Sequence, residues 1–101
     1  MELVKIEGKE LQAKEWNNER VLTVWDIAEL HNKTVSKIGQ QFKRNDKHLI
    51  KNVDYYLLNR DEFSVSQIVI QKKIPNNVKF IPLFTESGYL MLVKSFNDDL
   101  S

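Results

Sequence analysis

Cysteine is absent from this sequence. That excludes disulfides and thiolate metal sites and fits a reducing cytosol. Long apolar runs are missing too: no stretch approaches the roughly 20 residues a membrane-spanning helix needs. The opening MELVKIEGKE lacks the apolar core of a secretory signal, so none is expected. His31 and His48 are the only histidines, and their separation is not a metal-ligand spacing. No phosphate-binding glycine loop, nucleophile elbow or zincin motif occurs, and no internal repeat or low-complexity tract interrupts the chain. Together these absences argue against an enzyme and against a membrane protein, and they call for no metal, no cofactor and no small-molecule substrate.

What the 101 residues do hold is enough apolar material, 42%, for one modest core, so a single domain over residues 1–101 is expected. The net charge of +1 conceals an uneven distribution. Residues 1–30 carry four Lys/Arg against seven Asp/Glu, a net −3. Residues 31–51 carry Lys33, Lys37, Lys43, Arg44, Lys47 and Lys51 against Asp46 alone, a net +5. Residues 52–101 carry five cations against six acids, a net −1. A local basic patch is the usual footprint of a nucleic-acid binder, although a charged helix can also be merely solvated.

The periodicity predicts a mixture of strands and helices. LVKI (3–6) and LQAKEW (11–16) read as strands with Gly8-Lys9 as a turn, and NNE (17–19) turns the chain into RVLT (20–23), giving β-hairpins. Thr23 is placed to cap a helix running to about His31, with Asp26 three residues on and Val24, Ile27 and Leu30 on its inner face. Asn32 tolerates a left-handed conformation at the break, and Thr34 caps a second helix, Val35–Asn45, whose buried stripe is Val35, Ile38 and Phe42. Beyond it, DYYLL (54–58) and KFIPLF (79–84) read as strands, with Pro82 marking an edge or bulge. DEFSVSQIVIQ (61–71) permits either helix or strand, with Asp61 as a possible cap, and KKIPNN (72–77) is a loop. Thr85 caps a last helix over 86–96, apolar nearly all round and therefore expected at the centre of the core. Most of the aromatics Trp16, Trp25, Tyr55, Tyr56 and Phe84 belong to the core or its edge. Trp25 lies one residue off its helix's inner stripe and is a weak candidate for a partner contact.

The helix pair at 23–45 carries the functional signal. Opposite the stripe Val35, Ile38, Phe42 lie Lys37, Gln40 and Arg44, flanked by Ser36, Gln41 and Lys43, with no acid among them. A solvated helix usually mixes signs, because opposite charges four residues apart add stability. This one does without that support, so an anion opposite it is expected. Lys37, Gln40, Arg44 and Ser36 are the expected contacts to base edges: cations suit guanine and an amide suits adenine in the major groove. Lys33, Thr34, Lys43 and Lys47 are the expected phosphate contacts, joined by Lys72 and Lys73 from the loop. Arg20 and Lys79 offer weaker backbone contacts, and His48 can reach a phosphate. His31 closes the first helix, where an imidazole suits the negative end. Gly39 is either a point of close approach to Ala28 or a neutral surface glycine.

The segments RVLTVWDIAELHNK, IGQQFKRN, VDYYLL and FTESGYLMLVKSFNDD resemble the KilA-N-like amino-terminal domains of phage and prophage antirepressors, most closely their ORF-six-N branch. The resemblance covers about Trp16 to Leu100, and Asn59–Val78 is its least typical part. It implies a small α+β DNA-binding domain of a transcriptional regulator in the bacterial cytoplasm. Such domains usually stand at the front of a longer protein with a variable C-terminal domain. The family's reading helix maps onto Val35–Asn45. Double-stranded DNA is the expected partner, with a second copy of the chain or a phage repressor as further candidates. A module that grips a repressor or another acidic protein through the same basic face is the alternative.

Overall fold

In the computed structural model, residues 3–6, 9–12, 14–66, 68 and 74–98 are described. The chain begins with two antiparallel hairpins: β1 (Leu3–Ile6) pairs with β2 (Lys9–Gln12), and β3 (Lys14–Trp16) pairs with β4 (Glu19–Val21). The segment expected as one strand over 11–16 is thus shared between two ladders. The second hairpin turns on Asn17 and Asn18 alone, both at positive φ (55° and 63°), because a two-residue turn that matches strand twist needs left-handed residues there.

Helix α1 (Val24–Leu30) starts in a capping box: Thr23 Oγ1 accepts from the Asp26 amide at 3.2 Å, and Asp26 Oδ2 accepts from the Thr23 amide at 2.9 Å. The other carboxylate oxygen of Asp26 meets Lys14 Nζ at 2.8 Å, which ties the β3–β4 hairpin to the helix. The helix ends in a Schellman motif: the Lys33 amide donates to Ala28 O at 2.9 Å, with Asn32 at φ 53°. An asparagine therefore does at this break what glycine usually does. Thr34 then caps α2 (Val35–Asn45), its Oγ1 accepting from the Lys37 amide at 3.1 Å. A single 3-10 turn (Asp46–His48) follows.

Strands β5 (Tyr55–Asn59) and β6 (Phe80–Phe84) form the third two-stranded sheet, in register from Tyr55↔Phe84 to Asn59↔Phe80. Pro82 sits opposite Leu57, in a sheet with only two strands to satisfy. Between them runs α3 (Arg60–Val65), which settles the ambiguity of 61–71 as helix for its first part; residues 67 and 69–73 lie outside the described residues. Its cap is Asn59, in a capping box with Glu62, and Asp61 lies inside the first turn. Arg60 Nη1 holds the following loop, donating to the carbonyls of Pro75 (2.9 Å) and Val78 (3.0 Å).

Two apolar clusters share this frame. The larger joins Ile27 and Leu30 of α1 and Ile38 of α2 to Phe84 and to Tyr89, Leu92 and Phe96 of α4 (Glu86–Asp98). The smaller joins Val21, Leu58, Phe63, Ile81 and Leu83. Trp25 packs against both, which gives this half-buried residue a structural role. Helix α4 departs from all-round burial: Tyr89, Leu92 and Phe96 face the core, while Leu90 and Met91 are exposed. It is a core helix with one open side.

The start of α4 is fastened to the turn before β5. Thr85 Oγ1 lies 2.9 Å from Val53 O and 3.1 Å from Asp54 O, the Thr85 amide donates to Asp54 O at 3.0 Å, and Ser87 Oγ donates to Asp54 Oδ1 at 2.6 Å. Gly88 closes the contact: a Cβ there would lie 1.8 Å from Asp54 O. Gly39, by contrast, has nothing within 4 Å of its would-be Cβ, so no close approach of Ala28 requires it.

Opposite outcomes are therefore expected for one substitution at two helical glycines. Gly88→Ala must displace backbone and is expected to lower unfolding free energy by at least about 1–3 kcal/mol. Gly39→Ala fills open space and removes a helix-interior glycine, so it should raise stability by up to about 1 kcal/mol. Urea unfolding of both variants reads the difference directly.

Candidate nucleic-acid interface

Helix α2 is oriented by what it buries. Ile38 is fully enclosed, and Phe42 meets Tyr55 and Phe84 edge-on at centroid distances of 4.9 and 5.2 Å. Gln41 belongs to this inner side as well, at 1% exposure, which corrects its expected place beside the polar face. The reason lies on α4. Ser95 Oγ donates to Gln41 Oε1 at 2.9 Å, and the Gln41 carbonyl accepts from Asn45 Nδ2 at 2.8 Å. Gln41 Nε2 has no hydrogen-bond partner among the described residues.

With the buried direction centred on Ile38 and Gln41, the outward face turns accordingly. Ser36, Gln40, Lys43 and Arg44 are exposed, spaced i, i+4, i+7 and i+8, and lie on one side of the helix. Three of these were expected at base edges and one, Lys43, at phosphates. Lys37, the fourth expected base contact, is half-buried at the margin of this face. No acid lies anywhere in residues 31–45.

The expected phosphate contacts are spread more widely. Thr34 is exposed; its oxygen is committed to the cap, while a hydroxyl can still donate its proton outward. Lys33 is half-buried in the turn between the helices, and its Nζ sits 5.1 Å from the centroid of the Phe96 ring, a cation–π distance. Lys47 and His48 are exposed on the 3-10 turn at the end of α2. Lys72 and Lys73 lie outside the described residues. Arg20 and Lys79 are exposed, in β4 and just before β6.

His31 is the C-cap of α1 and is built into the structure: its Nε2 is 2.7 Å from Tyr89 Oη, and its ring lies edge-on to Phe96 at 5.2 Å. Together with Lys33 on Phe96, this locks the turn between α1 and α2 onto α4. Among the described residues no cluster of three or more potential metal ligands occurs, and no helix is long and apolar enough to cross a membrane.

Sequence reasoning missed the turn at residues 50–54. Ile50 and Val53 are exposed there, next to exposed Lys51, while Asp54 is buried beneath them. The available signal was Thr85-Glu-Ser-Gly88, whose hydroxyls and glycine read only as a helix start until Asp54 is brought beside them.

The family model described as ORF6N domain matches residues 11–95, most of the chain. No curated protein and no solved structure matches it. The match spans both helices of the pair, the β5–β6 sheet and α4 as far as Ser95, the residue that fixes the rotation of α2. The chain belongs to the ORF6N domain family.

Proposed function

We propose that this chain is a double-stranded DNA-binding domain of a phage or prophage antirepressor-type regulator, and that α2 enters the major groove. The observation that carries the reading is the outward face of α2: Ser36, Gln40, Lys43 and Arg44, all exposed, on a helix without a single acid. Eleven residues make a rod of about 16 Å, and a major groove about 12 Å wide accepts one such helix. Membership of a family of regulatory domains supports the same reading and argues against an enzyme.

The roles follow from chemistry. Gln40 can give and take one hydrogen bond each with adenine, and Arg44 can give two to guanine. Ser36 donates or accepts near the start of the helix. Lys43 stands on the same face as these, so its ammonium is available to a base edge as well as to a phosphate, while Lys37 at the margin is better placed for the backbone. Thr34 and Lys47 mark the two ends of the helix, where phosphates pass on either side of the groove. Lys33 reaches a phosphate only by sharing its charge with Phe96.

The N-terminus of α2 contributes too. Its dipole favours an anion, and no acidic side chain in the first turn competes for that position. Binding by one copy of so small an interface should be weak and steeply salt-dependent. A second copy or an additional domain would supply the remainder.

Random-site selection followed by titration of the enriched duplex tests this reading. Gln40→Ala and Arg44→Ala should each weaken binding of the selected site by about 1–3 kcal/mol and relax the preference at one position. Lys47→Ala should weaken all duplexes alike and lower the salt slope by roughly 0.9. If duplex is ignored even at low salt while a phage repressor is captured, the basic face serves a protein and the DNA reading is wrong.

A further inference from the structure

We propose that the turn Ile50–Val53, beyond the end of α2, is a second DNA-contacting element, with Lys51 on a phosphate and Ile50 and Val53 against the sugars and groove edge. This rests on the reading of α2 as a DNA-binding helix and extends it to a surface outside that helix.

Two branched apolar side chains are displayed here at high exposure, Ile50 at 61% and Val53 at 55%. Ordinarily an exposed isoleucine needs no explanation. The way this turn is held is what sets it apart. The amides of Val53 and Asp54 both donate to Ile50 O, at 3.1 and 2.7 Å, and the Asn52 amide donates to Tyr55 O at 2.6 Å with Asn52 at φ 68°. The Ile50 amide donates to Asp54 Oδ2 at 2.8 Å. Beneath, Thr85, Ser87 and Gly88 seat Val53 and Asp54 on the first turn of α4. The tip therefore loses little conformational freedom on meeting a partner.

Charge chooses the partner. Around the tip Lys47, His48 and Lys51 are all exposed. The only acid between Asn45 and Val53 is Asp46; Asp54 is buried, with Oδ1 and Oδ2 both occupied. From Lys43 to Val53 the chain carries four cations against that one acid. Protein interfaces have cores depleted in lysine, and two aliphatic side chains with exposed Lys51 between them in the chain make a poor core. A nucleic-acid backbone offers what this tip lacks: phosphates for the cations and sugar surface for the aliphatics.

Position agrees with charge. The tip is reached within two residues of the 3-10 turn that ends α2, and Tyr55, directly after it, packs on Phe42 of that helix. In the chain it thus follows the half of α2 that bears Lys43 and Arg44.

The test uses the whole chain, a labelled duplex longer than one helical turn, and a salt series read by fluorescence anisotropy. All the substituted side chains are exposed, and melting temperatures verify that the variants stay folded. Lys51→Ala should lower the slope of log K against log salt by roughly 0.9, the loss of one phosphate contact. Ile50→Ser/Val53→Ser should weaken binding about tenfold at every salt concentration with the slope unchanged. If Lys51→Ala and Ile50→Ser/Val53→Ser both bind as wild type does while Lys43→Ala/Arg44→Ala loses the duplex, the turn is no contact and the α2 reading stands. A Lys51→Ala variant that leaves the slope unaltered also overturns the proposal. If the unaltered chain ignores duplex altogether, the α2 reading fails first and takes this one with it.

Discussion

The seating of Asp54 on the start of α4 is the constraint on which most of this architecture depends. One carboxylate and one carbonyl do several jobs there. Asp54 O receives the Thr85 amide, Asp54 Oδ1 receives Ser87, and Asp54 Oδ2 receives the Ile50 amide. The carboxylate is buried, so its oxygens need these donors, and the donors come from both sides of the join. Because Tyr55 and Phe84 are paired one residue away on each strand, the same join sets the register of β5 against β6. Gly88 is the geometric expression of the constraint: only hydrogen fits where Asp54 O approaches. The exposed turn, the third sheet and the first turn of α4 thus share one point of attachment.

From that point the placement of α2 follows by packing. Phe84 ends β6, accepts the ring edge of Phe42, and exchanges both backbone hydrogen bonds with Leu22 just before α1. Helix α4 then supplies Ser95 to Gln41, Tyr89 to His31 and Phe96 to Lys33. Three contacts from one helix face thereby fix the rotation of α2 and the turn that precedes it. Gln41 shows that fixing rotation outranks perfect satisfaction here, since its Nε2 is left without a partner among the described residues. An unsatisfied buried amide typically costs about 1–3 kcal/mol, against which stand the buried ring of Phe42 and the enclosure of Ile38.

Local chemistry was legible in the sequence, and long-range partnership was not. The limits of α2 could be read because Thr34 and Asn32 act within a few residues of themselves, through a cap and a left-handed turn. The same holds for Thr23 with Asp26. Gln41 was misjudged because its partner, Ser95, stands 54 residues away, and a glutamine on a basic helix looks like surface until that serine arrives. The glycines divide in the same way. Gly39 could be read either as a close approach to Ala28 or as a neutral surface glycine, and it faces open space; the need for glycine at 88 could not be read, because Asp54 is far off in sequence. Asn59 displaced Asp61 as the cap of α3 for a purely local reason, its place directly before a Glu three residues on, which the strand-like composition of that segment obscured.

The electrostatics of α2 explain how a helix without acids can be stable enough to be presented at all. In isolation, a face of cations and amides forgoes the ion pairs that support a short helix, and eleven residues are too few to hold by propensity alone. Here the helix is held by its buried side, so its outer side need not contribute. The ends are arranged to limit the cost further. Lys43 and Arg44 lie in the last turn, where the carbonyl end of the dipole attracts cations, and the first turn carries hydroxyls instead of acids. An acid in that first turn would stabilise the free helix and repel a phosphate. Its absence gives up a little stability in the free protein and leaves the positive end of the helix open to an outside anion. The two ends of α2 thus carry positive charge by different means, backbone dipole at one and the side chains of Lys43 and Arg44 at the other. Two such sources spaced along one helix are what the proposed duplex ligand, with its charge distributed along a line, would require.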